Sequence, residues 1–192
     1  MLQRFVLVTG TCLLTFVAVM APAQAAPPSA TAPVVRVCPP VDPPDSALLI
    51  PLGDSATQFG ECSNGQALRL PCPDGLIFDI DRSVCNFPDR VRQAPTQTTA
   101  GNARLDATGR KVTGLTATVT WRGKPLLDAP VHFTTVSGAR LCDAFTDDSG
   151  HASCDAGNAA QGADQLLRGY TASYDGTKNL LPSNGKGTVT RS

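Results

Sequence analysis

Seven cysteines, two histidines and the acid pairs Asp79 with Asp81 and Asp147 with Asp148 are the residues in this sequence whose types could do chemistry beyond packing. Glycoside cleavage needs one carboxyl with a raised pKa opposite a second at a defined distance. Both acid pairs sit in turn-forming text, where short acidic side chains ordinarily cap their own backbone. His132 alternates with Val131 and Phe133 onto a solvent face, and neither it nor His151 has further ligands at zinc spacing, so no metal site is expected. No Gly-x-Ser-x-Gly and no glycine-rich phosphate loop occurs. The residues therefore predict no catalytic group, no metal and no cofactor. What remains is the cysteines, at positions 12, 38, 62, 72, 85, 142 and 154.

Composition narrows the classes further. The chain has 192 residues, with 16 Lys and Arg against 16 Asp and Glu, so no broad positive field exists to hold a nucleic acid or an anionic membrane surface. Glu61 is the single glutamate, and the text of long helices is missing. Residues 1–25 read as an export signal: Arg4, an apolar run from Phe5 to Met20, and the small-x-small site Ala23-Gln24-Ala25 ahead of Pro27. Cys12 leaves with it, and the protein is expected to be secreted, with no membrane association after cleavage. Six cysteines then remain in an oxidising compartment, where disulfides persist. Residues 26–37 are rich in Pro and Ala, and residues 94–102, with Pro95-Thr-Gln-Thr-Thr-Ala100, read as a linker between two modules, 38–93 and 103–192.

The elements of the rear module follow from period-two alternation. Leu115, Ala117, Val119 and Trp121 take one face of a strand, and Val131 to Thr135 and Tyr170 to Tyr174 repeat the pattern. Turn clusters lie between them at Arg122 to Pro125, Asp147 to Gly150, Asp175-Gly176 and Pro182 to Gly185. Several short strands at regular spacing predict a β-sandwich. The order Leu-Thr-Ala-x-Val, Gly-x-Pro, Val-x-Phe-Thr, Thr-Asp-x-x-Gly-x-Ala and Tyr-x-Ala-x-Tyr-x-Gly resembles bacterial immunoglobulin-like repeats. Cys142 and Cys154 flank the Asp147 to Gly150 turn and are expected to bridge two neighbouring strands or the loop beside them, worth about 3 kcal/mol in the chain-entropy model.

In the front module Asn64-Gly65 is a hairpin signal, because both positions tolerate positive φ, with strands from about Thr57 to Cys62 and Ala67 to Cys72. The text Gln58-Phe-Gly-Glu-Cys62, Leu70-Pro-Cys72-Pro-Asp-Gly-Leu-Ile-Phe78 and Cys85-Asn-Phe-Pro-Asp-Arg-Val91 resembles the peritrophin-A type (type-2) chitin-binding module. Such modules carry six cysteines paired first to third, second to sixth and fourth to fifth. This chain has four, with Ala56 and Gln93 at the places of the second and sixth. The resemblance therefore implies bridges Cys38 with Cys62 and Cys72 with Cys85, and a module loosened near Ala56 and Gln93. The lost link is worth about 4 kcal/mol in the same model.

Chitin presents flat C–H faces and amides but no charge, so its receptor needs an aromatic platform and a few hydrogen-bonding groups. The resemblance places Phe87 at the family's aromatic position before proline, as a stacking platform; the competing reading packs it on Pro88 and Val91. Asn86 offers an acetamide partner or a turn cap. Phe59 extends the platform or fills the small core, whereas Phe78, alternating with Leu76 and Ile80, is core. The expected protein is all-β: a small disulfide-stapled chitin-binding module followed by an immunoglobulin-like β-sandwich, binding chitin or a related N-acetylglucosamine polymer without cleaving it. The alternative is a structural or adhesive extracellular protein whose front module has lost sugar binding.

Overall fold

The computed structural model describes residues 36–44, 46–108, 110–157 and 163–192. The expected signal and most of the Pro/Ala-rich segment lie outside them. The described residues are all-β in architecture, and no helix among them is long and apolar enough to cross a membrane.

The front carries β1 (Leu49–Leu52), β2 (Ser55–Ser63), β3 (Gln66–Pro71), β4 (Ile77–Asp79) and β5 (Val84–Asn86), followed by a 3-10 turn at Pro88–Arg90. β1, β2 and β3 form an antiparallel sheet and β4 with β5 a separate hairpin. The β2–β3 register closes on Ser63 opposite Gln66, with Asn64 and Gly65 at φ of 50° and 79°. That is the pair of left-handed positions a two-residue hairpin needs. Cys38 bonds Cys62 and Cys72 bonds Cys85, the pairing the family resemblance implied.

The rear carries β6 (Thr96–Ala100), β7 (Asn102–Leu105), β8 (Val112–Trp121), β9 (Lys124–Pro125), β10 (Pro130–Thr135), β11 (Arg140–Phe145), β12 (His151–Ala156), the single helical turn α1 (Ala163–Leu166), β13 (Tyr170–Tyr174) and β14 (Ser183–Arg191). Strand order is β11-β10-β13-β14-β7-β8-β12, with β6 and β9 also paired to β8. β14 joins two leaves: its first half runs antiparallel to β13 and its second half parallel to β7. The alternating faces seen in the sequence point inward, since Leu115, Ala117, Val119, Trp121, Val131, Phe133, Tyr170, Ala172 and Tyr174 are all buried. The Cys142–Cys154 bond forms across the Asp147 turn, but the strands it joins are not paired neighbours: β11 pairs with β10 and β12 with β8, at opposite ends of the strand order.

The linker reading needs correction. Thr96–Ala100 is a strand, paired residue for residue with Ala117 to Trp121, and Ala94 is buried in a parallel bridge to Leu180. Its polar text hid this because only Thr98 turns into the interior, while β8 supplies the apolar layer. The front module is accordingly not separated from the rear. Cys72, Phe78 and Ile80 belong to the same buried cluster as the sandwich core. Gly53 donates to the Leu127 carbonyl at 2.8 Å and accepts the buried Tyr174 hydroxyl at 2.7 Å. Burial pushes the Tyr174 phenol well above its ordinary pKa. Arg69 on β3 reaches Asp54 at 3.0 Å and, across the junction, Asp128 at 2.6 Å.

Candidate functional site

The site is built on the β4–β5 hairpin, whose strands are three residues each and too short to hold their own shape. Two devices hold it. The Cys72–Cys85 bridge ties β5 to the end of β3. The carboxylate of Asp79, 1% exposed, fills the turn: its Oδ1 accepts the backbone N–H groups of Asp81 and Arg82 at 3.1 and 3.2 Å, and its Oδ2 accepts Arg82 Nη1 at 2.7 Å and Asn86 Nδ2 at 3.2 Å. Burial works to raise the Asp79 pKa, but the bonds from Arg82 and Asn86 together with the Arg82 charge outweigh it and hold the carboxyl below the ordinary range.

Asn86 passes this order onward, because its Oδ1 accepts the Phe87 N–H at 2.9 Å. The amide is thus a cap fixing the backbone at Phe87, as well as a neighbour of its ring. Pro88 starts the 3-10 turn with Phe87 in extended geometry before it, and the Phe87 ring ends 56% exposed. The packed alternative for this ring is not what the structure has. Sequence reasoning missed Arg90, whose guanidinium stands 5.7 Å from the ring centroid; residues three apart eclipse in a 3-10 turn, and that spacing was the available signal.

Phe59 lies on β2 opposite Leu70 and is half-buried, its ring stacked on Phe78 at 5.1 Å and 18°. It supports the hairpin from beneath, so of the two open readings packing is the larger part. Phe78 is 1% exposed, as the alternation required. Leu70 on β3 and Val84 on β5 are further exposed apolar residues of the front module, at 36% and 50% exposure. A groove of about 500 Å³ lies elsewhere, beside the Cys38–Cys62 bridge, lined by Arg36, Pro39, Pro40, Asn64 and Gln66 and, among the described residues, by no aromatic ring.

The other candidate groups are committed to structure. Asp81 pairs with Arg122, and Asp147 Oδ1 accepts Ser149 and His151 backbone N–H groups of its own turn at 2.9 and 3.0 Å. His132 Nδ1 lies 2.7 Å from Asp143. Among the described residues no group of three or more His, Cys, Asp or Glu could hold a metal ion.

The geometry defines an all-β protein with a disulfide-held hairpin that presents one aromatic ring to solvent. Residues 44–93, which contain that hairpin and three of its four front cysteines, match the family model described as the chitin binding Peritrophin-A domain. No curated protein and no solved structure matches the chain.

Proposed function

We propose that the protein is secreted and binds chitin or a related N-acetylglucosamine polymer without cleaving it. The observation that carries this is Phe87, 56% exposed, on a backbone held from two sides by the Asn86 cap and by Pro88. A flat apolar face carried on a restrained backbone loses less freedom when the C–H face of a sugar settles on it. Asn86 keeps a second amide N–H, which suits an acetamide carbonyl beside the ring. Phe59 acts chiefly through Phe78, on which its ring stacks. The matched family and the three disulfides support an extracellular site of action. Support for a non-catalytic role comes from the carboxylates of the two acid pairs, Asp79, Asp81, Asp147 and Asp148, each engaged in its own turn or ion pair.

The immunoglobulin-like reading of the rear module is supported by the parallel pairing of the last strand, β14, with β7 across two leaves. Its fold says nothing of partners.

Retention on chitin beads is the test. Wild type should be held and Phe87→Ala released, with its disulfides and thermal transition unchanged. Wild type that runs through the beads would leave the structural or adhesive role.

A further inference from the structure

The loop joining β13 to β14 bonds the front module at two places, one before and one after Phe87 in the chain. Asn179, fully buried, donates from Nδ2 to the carbonyl of Phe78 at 2.9 Å and accepts the Thr177 hydroxyl at 2.6 Å. Its own carbonyl accepts the Ala94 N–H at 2.9 Å, and Leu181 returns a bond to the Ala94 carbonyl at 2.9 Å. Gln93 Nε2 donates to the carbonyls of Thr177 and Leu180 at 2.8 and 3.4 Å. Phe78 stands opposite Cys85, two residues before Phe87, and Gln93 lies at the exit of the same segment. One loop of the sandwich therefore grips β4, the partner of the strand that leads to Phe87, and the chain that leaves it.

The need for this grip is physical. A three-residue hairpin has no stability of its own, and Phe78, 1% exposed, has its carbonyl served by the buried Asn179 amide of the rear. At the opposite corner Arg122, between β8 and β9, pairs with Asp81 in the hairpin turn. A Cβ on Gly53 would come within 2.6 Å of Ala129 N, so the modules meet too closely there for a side chain.

We infer that the sandwich is a working part of the sugar-binding head, with Asn179 a positioning residue that sets where the Phe87 ring stands. Position 93, where the family resemblance puts a cysteine, is held by the β13–β14 loop instead. The binding half of this inference rests on the proposed sugar-binding role; the coupling half does not.

The test uses the full chain and Asn179→Leu, which keeps volume and removes the amide. Amide hydrogen exchange is followed separately over residues 77–87, 130–135 and 170–174, and affinity for soluble chitohexaose is measured well below the thermal transition. Exchange over 77–87 should quicken about tenfold while 130–135 stays protected, and chitohexaose affinity should fall several-fold. Faster exchange in 170–174 alone, with the hairpin unchanged, overturns the inference. So does unaltered chitohexaose affinity in a variant whose hairpin has loosened. If wild type itself ignores chitohexaose, the sugar reading fails and the exchange data still decide the coupling. Should the variant not fold, exchange of wild type in low urea decides it: hairpin and sandwich should open together, and a hairpin that opens first with the sandwich intact refutes the inference.

Discussion

Oδ2 of Asp79 accepts the side-chain amide of Asn86 at 3.2 Å, so the most buried carboxylate of the front module orients the residue that caps the exposed ring. Replacing Asp79 with Asn turns an acceptor toward a donor and sets an amide against Arg82 and Asn86. Asp79→Asn should cost about 2 kcal/mol in urea denaturation, the scale of hydrogen bonds to a charged group, and should weaken chitin retention although residue 79 touches no ligand. An unchanged denaturation midpoint would remove Asp79 from this role.

Acid should act through the same group. The carboxyls of Asp79, Asp143 and Asp147 are all held below their ordinary range in the folded protein. For Asp143 the His132 hydrogen bond leads; for Asp147 burial opposes, and the bonds from Ser149 and His151 prevail. The unfolded chain, with carboxyl pKa values near 3.9, then binds more protons than the folded one at low pH. Stability from these groups should be complete above about pH 5, and it should decline as pH falls through about 4 toward the folded values. Thermal midpoints across this range should show that decline, and Asp79→Asn should make it shallower.

The two phenylalanines of the site should separate in their costs. Phe59 stacks on Phe78 and joins the core, so Phe59→Ala should destabilise by about 2 to 3 kcal/mol. Phe87 is mostly in water, so Phe87→Ala should fall within about 0.5 kcal/mol of wild type. Equal losses in parallel denaturation curves would mean that the ring of Phe87 is part of the core.

At the junction, Gly53→Ala forces a methyl against Ala129, whose Cβ would lie 2.5 Å away. Overpacking of this kind should cost about 1 to 3 kcal/mol, and the transition should remain single, because Cys72, Phe78 and Ile80 share the sandwich core and Leu127 of the rear packs on the second front cluster of Val37, Cys38, Ile50 and Cys62. Two resolved transitions in calorimetry would show the modules melting independently.

Much of this was readable from local pattern. Asn64-Gly65 announced its hairpin because two successive left-handed positions admit few residues. The odd-numbered residues from Leu115 to Trp121 announced a half-buried strand, and the family text around Cys72 and Cys85 led to the ring at 87. The strand at Thr96–Ala100 was not readable, since its text is polar and its apolar layer is borrowed from a strand later in the chain. Nor were the roles of Gln93 and Asn179, whose bonds run to residues more than eighty positions away, beyond any local periodicity.

The bond between Cys142 and Cys154 ties the two outermost strands of the rear module to one another. An open sheet ends in two rims of unsatisfied amides and carbonyls, each an invitation to extended segments of other molecules. Fastening rim to rim keeps that appetite within a single molecule. In reducing surroundings the protein should therefore lose solubility before it loses its fold, as strands β11 and β12 become free to recruit their counterparts in neighbouring copies.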